Sequence, residues 1–284
     1  MSLSASRGLS RFECLLREFL VFASQYGRFH AQRGKIVRKS MFLAMCILLS
    51  WQAALAGPPG QAEYAEVLHR YVRGGSVDYA GLKENRKLLD ESLSRMGTVD
   101  PESLSREGQL AFYINLYNAA TLRLVVDHYP VSSIKDIGGW FSSPWKQKVV
   151  PLKGELVSLD HVEHEILRPR FQEPLVHFAL NCSARSCPPL AEEPYVADSL
   201  KDRLRVAAIT FINDSEGNRL ENGKLYLSRI FKWYAKDFPE DVVSWLQQYA
   251  RGSLKEKLDA MTEKGKTPTV KYLEYDWRLN DRPR

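Results

Sequence analysis

The stretch from Gln109 to Asp127 is apolar on nearly every face when wound as an α-helix, so it must run through a core rather than along a surface. Asn115 and Asn118 are set into it three residues apart, and so on one face. A buried amide left unpaired costs on the order of 1–3 kcal/mol, so both must find partners. Either they bind the backbone of a neighbouring loop, or one of them orients a catalytic histidine or donates to an oxyanion.

Around that helix the composition is ordinary. The chain has 284 residues, 44% hydrophobic and 26% charged, which excludes disorder and coiled coil as the main state. Its net charge of +6 is confined to residues 1–56, where eight Lys/Arg face two Asp/Glu, while residues 57–284 hold 32 of each. A neutral body carries no electrostatic footprint for a phosphate backbone, so no nucleic-acid partner is expected.

The N-terminal part reads as an export signal. Arg38-Lys39 precedes the apolar run from Met41 to Leu49, and Ala54-Leu55-Ala56 then leads into Gly57-Pro58-Pro59-Gly60. A basic region, a short apolar region and a small-x-small site make up such a signal. Met41 to Ala56 is 16 residues, about 24 Å of helix, short of the ~20 residues a bilayer core needs. Cleavage after Ala56 is expected, with a periplasmic or secreted product that meets the membrane only through this segment if it stays uncleaved. Residues 1–40 read as an extension, with the natural start near Val37 or Met41. Read as sequence proper, residues 9–23 have the spacing of a basic amphipathic helix.

Residues 57–284 read as a single helix-rich α+β domain with a small mixed or antiparallel sheet. Apolar spacing predicts helices at about 61–73, 104–128, 159–168, 196–213, 228–237 and 241–249. Lys153-Gly154 and Asn222-Gly223 predict two hairpins, each followed by a helix start with Ser158 or Asp160, and Ser228, as caps. Leu175–Leu180 and Val270–Tyr275 are further strand candidates.

Cysteine usage is the sharpest local clue. Cys14 and Cys46 belong to the leader, which leaves Cys182 and Cys187. In an oxidising compartment such a pair is expected to bond, as a clip or as a redox couple. The competing reading keeps Cys182 as a thiol nucleophile, with Asn181 and nearby amides around an oxyanion and Asn115 as an orienter. Its base would come from the helix Asp160–Leu167, where His164 and His161 lie beside Glu165. His177 is set aside as that base: five residues along a strand span about 16 Å and place the two side chains on opposite faces. The histidine order matches no zinc signature, so neither metal nor cofactor is expected. Trp140-Phe141…Trp145 and Phe231…Trp233-Tyr234 could line a groove for a sugar or a peptide. Trp140, Trp145, Asn118 and Asn181 are the binding candidates.

Several segments together resemble a known family. They are Ala111–Ala119, Val162–Arg168, His177–Cys182, Ser186–Pro189, Ile230–Tyr234 with Asp237-Phe238, Val270–Leu273 and Tyr275–Asn280. In that order they are similar to the family known as domain of unknown function 547, over a core of about 100–240. The resemblance implies a fold group without an established activity. Plant members of similar type read Ser-Ser-Pro where this chain has Ser186-Cys187-Pro188, so a disulfide here would not be a family-wide device. Three functions stand open: a cell-envelope binding module for a protein, peptide or saccharide; a thiol-dependent hydrolase or acyl transferase using Cys182; and a thiol-disulfide redox protein.

Overall fold

The computed structural model describes residues 57–138 and 143–282. The apolar stretch forms helix α4, Arg106–His128, with a run of buried side chains from Leu110 to Leu122. Ser105 starts it, its hydroxyl accepting from the Gly108 amide at 3.1 Å. Three helices precede it: α1 (Gln61–Tyr71), α2 (Tyr79–Glu84) and α3 (Lys87–Met96). Two of them, α2 and α3, have no counterpart among the helices expected from spacing. Gly60 begins α1 at φ 86°, and a Cβ there would lie 2.4 Å from the carbonyl of Ser92. Only glycine lets α1 lie that close to α3.

A two-residue hairpin, β1 (Val72–Arg73) and β2 (Ser76–Val77), links α1 to α2. Both predicted hairpins form. β3 (Lys148–Leu152) pairs with β4 (Glu155–Ser158), and β5 (Arg219–Glu221) pairs with β6 (Lys224–Leu227). Their turn residues all have positive φ: Lys153 52°, Gly154 82°, Asn222 50° and Gly223 74°. That is the handedness by which a two-residue turn matches the twist of its strands. β7 (Thr269–Tyr272) adds parallel to β6, so the three-stranded sheet is mixed. The remaining helices are α5 (Arg168–Phe171), α6 (Leu200–Ile212), α7 (Ile230–Trp233), α8 (Val242–Gln247) and α9 (Gly252–Glu263).

Two of the expected elements take another form. Leu175–Leu180 is no strand: Pro174–Phe178 forms a 3-10 turn. The carboxylate of Glu173 accepts from the Leu175 amide at 3.0 Å, and Pro174 takes the first position, so helix-start chemistry prevails over the apolar run. The helix expected at 159–168 is a π-helix over His161–Leu167, its last amide, Arg168 N–H, donating to the Glu163 carbonyl. Ser158 caps it as expected, accepting from the His161 amide at 3.0 Å.

Buried side chains fall into two adjoining clusters. The first surrounds α4. The second gathers Phe178, Phe211, Phe231, Phe238 and Trp245 under the mixed sheet. The chain beyond β7 then returns to the first cluster. Leu279 donates its amide to Ser132, Asn280 to Ser183 and Arg282 to Val77, all within 3.1 Å. Among the described residues no helix is long and apolar enough to cross a membrane, and the segment read as an export signal lies outside them.

Candidate functional site

Where the two clusters adjoin, a cleft of about 200 Å³ opens. The π-helix supplies Glu163 and His164, with Asp160 just before it, and α4 supplies Tyr117. A π turn carries one residue more than an α turn, and such turns recur at functional sites. Here it sets Glu163 inward, 6% exposed, while its neighbour His164 is half exposed in the cleft mouth.

One wall is aromatic and drawn from three distant stretches. Ring centroids lie 4.7 Å apart for Trp233 and Tyr275, 4.6 Å for Tyr275 and Trp277, and 5.7 Å for Trp145 and Trp277. Trp145 and Trp233, one from each aromatic cluster singled out in the sequence, therefore share one wall, joined by Tyr275 and Trp277, which sequence reasoning had not marked as binding residues. Trp140 lies outside the described residues.

The cysteines adjoin that wall. Cys182 and Cys187 are bonded, with Cα atoms 6.0 Å apart. The hydroxyl of Tyr275 lies 3.3 Å from both sulfurs. With its sulfur bonded, Cys182 is no nucleophile; the thiol reading applies only to the reduced chain. His164 lines the same cleft, but its Nδ1 accepts from Arg168 Nη1 at 2.9 Å.

The asparagines do not orient a histidine. Asn115 donates to the carbonyl of Tyr195 at 2.8 Å and accepts from the same residue's amide at 2.9 Å. Asn118 donates to Ala179 O and accepts from the Asn181 amide, both at 2.9 Å. Each amide side chain thus does for a loop what a neighbouring strand would do, donating one hydrogen bond and accepting one. Asn181 is spent on its own loop, accepting from the Ser183 amide and donating to Pro188 O, both at 2.8 Å. These hydrogen bonds fix the cysteine loop and the segment around Tyr195.

His177, set aside on strand geometry, lines the cleft together with Cys182, because the segment is a 3-10 turn. Its Nε2 lies 2.7 Å from Asp237 Oδ2, and Asp237 also accepts from Arg168 Nε at 2.6 Å and Nη2 at 2.9 Å. Its ring stacks on Tyr234 at 3.9 Å. Burial lowers the His177 pKa, outweighing the Asp237 bond that raises it. For Asp237 burial pushes upward, but the bonds from Arg168 and His177 prevail and hold it below the ordinary carboxylate range. A neutral imidazole donating to a carboxylate fits both directions. Burial, followed by the nearby Glu163, raises Tyr117 and Tyr234 far above the ordinary tyrosine value, so their hydroxyls remain donors. No set of three His, Cys, Asp or Glu side chains is arranged to hold a metal among the described residues.

Residues 101–212 match a family model described as a protein of unknown function, DUF547. That segment includes α4, the π-helix and both cysteines, while Trp233, Tyr234, Tyr275 and Trp277 lie beyond it. No curated protein and no solved structure matches the chain.

Proposed function

We propose that the DUF547 domain carried by this chain acts as an exported binding module, whose cleft takes a small ligand or the end of a peptide or saccharide. The observation that supports this most is the convergence of Trp145, Trp233, Tyr275 and Trp277 on one wall beside the Cys182–Cys187 bond. Aromatic walls with a few placed polar groups are what small-ligand sites are built from. Trp233 is 44% exposed although its ring is large and apolar, as a contact surface requires. A bonded cysteine pair suits an oxidising compartment, in keeping with the leader before Gly57. On this reading the mature chain begins at Gly57, which N-terminal sequencing of exported protein checks.

The test of binding is ligand-observed NMR with peptide and saccharide fragments of the cell envelope, against the oxidised protein. At least one fragment should give a saturation-transfer signal that Trp233→Ala removes. Silence from every fragment, or a signal indifferent to that substitution, would sink the module.

A second reading rests on the sulfurs themselves. The disulfide borders the cleft and the Tyr275 hydroxyl touches both its atoms, so the pair could exchange with a partner thiol. Equilibration in glutathione buffers tests it: a pair still oxidised in a cytosol-like buffer is a clip and no couple.

A further inference from the structure

The cleft is lined by carboxylates and imidazoles but by no permanent cation. Asp160 and Glu163 line it, and no Lys or Arg does. The nearest guanidinium, Arg168, has all three nitrogens engaged, two on Asp237 and one on His164. Glu163 is more than nine-tenths buried, and its bonds come from phenols: the Tyr117 hydroxyl at 3.1 Å and the hydroxyl of Tyr234. Among the described residues no cation forms an ion pair with it. Arg168 is near enough to feel the charge of Glu163 but spends its nitrogens elsewhere, so this buried carboxylate has no ion-pair contact of its own, and a cationic ligand would supply one.

The wall beside it is suited to the same charge. Ring faces carry the negative end of the aromatic quadrupole and attract cations within about 6 Å of the centroid. The rings already do this within the molecule: Lys135 Nζ lies 5.0 Å from the Trp277 centroid and the Arg168 guanidinium 5.2 Å from that of Tyr234. Ring faces accept no conventional hydrogen bonds, so a cation that needs none fits them better than a primary ammonium. Resting on the binding-module reading, we infer that the cleft takes a methylated ammonium group on a compact organic body, its charge held between the aromatic wall and Glu163.

Choline and its uncharged isostere 3,3-dimethylbutan-1-ol separate charge from shape, and ethanolamine separates methylated from primary ammonium. Titrated into the oxidised full chain and followed by tryptophan emission and calorimetry, choline should bind at least about tenfold tighter than either. Glu163→Gln keeps an acceptor for the two phenols and should weaken choline about tenfold while leaving the isostere unchanged. Should that variant fail to fold, Asp160→Asn gives the same readout at a half-exposed position. Equal binding of choline and isostere overturns the ammonium inference and leaves the module standing. Tighter binding of ethanolamine overturns the preference for a methylated cation, and choline binding unaffected by Trp233→Ala places it elsewhere and overturns the site. If choline fails to bind while envelope fragments do, the inference falls alone; if both fail, the module falls with it.

Discussion

Asn118 holds two backbone groups, Ala179 O and Asn181 N–H, that no strand or helix reaches. Asn118→Ala leaves both buried and unpaired, an expected loss of about 2–4 kcal/mol by urea denaturation. The loop bearing Cys182 loosens with it, so the loss should be accompanied by faster reduction of the disulfide. The bond itself closes a loop of five residues, for which chain entropy gives about 2 kcal/mol, the expected cost of Cys182→Ala with Cys187→Ala. His177 ties stability to pH. Its folded pKa lies below the ordinary histidine value, so the unfolded chain takes the proton first as pH falls. Stability should therefore drop between about pH 7.5 and 5, and His177→Gln should flatten that slope. Asp237, also depressed, adds a further loss in the carboxylate range, where its ion pair with Arg168 is protonated away. Though spacing left Cys182 equally open as a thiol, the cysteine pair was legible in it as a candidate bond. His177 was not, because its exclusion assumed a strand where Glu173 and Pro174 start a 3-10 turn.

The π-helix is the element on which the cleft turns. Spacing announces a helix at 159–168 but cannot announce its kind, since one extra residue in a short helix leaves the apolar stripe of Leu159, Val162 and Ile166 intact. Deleting Glu165, whose side chain is 69% exposed, should let the segment wind as an α-helix. Because the π turn holds one residue more than an α turn, the flanks then keep their register and the change is confined to the turn itself, where Glu163 loses the widened turn that sets it inward. Far-UV circular dichroism should stay close to that of the parent while ligand binding is lost; a deletion that binds normally would show that the π turn has no part in the site. Of the helices missed by sequence reasoning, α3 carries a plain signal in Leu89, Leu93 and Met96 at helical spacing, while α2 and α9 are thin in it. α2 is one and a half turns long, begun by the Asp78 carboxylate accepting from the Gly81 amide, and α9 buries only Leu254 and Leu258. Such helices owe their existence to what they pack against, which one chain's periodicity does not display.

At the scale of the molecule, residues 269–282 join what the helices leave apart. They pair as β7 in the sheet over the second cluster, then run across the first, where Asn280 accepts from the Tyr79 hydroxyl at 2.8 Å and Asp281 from that of Tyr129 at 2.8 Å. The sequence announces the strand at Val270 but not its partner, since long-range pairing leaves no local mark. A chain ending at Pro268 should lose this crossing and two rings of the wall, with tryptophan emission shifted to the red and new protease sensitivity around Val77 and Ser183. The segment that bears Tyr275 and Trp277 is the same one that straps the two clusters together. An occupant of the cleft therefore leans on both at once, and its free energy of binding is shared between them as a brace. Amide exchange in β5 to β7 and in α6 should slow on saturation by more than exchange in α4, and the empty domain, able to open at its smaller end first, should become one cooperative unit when full.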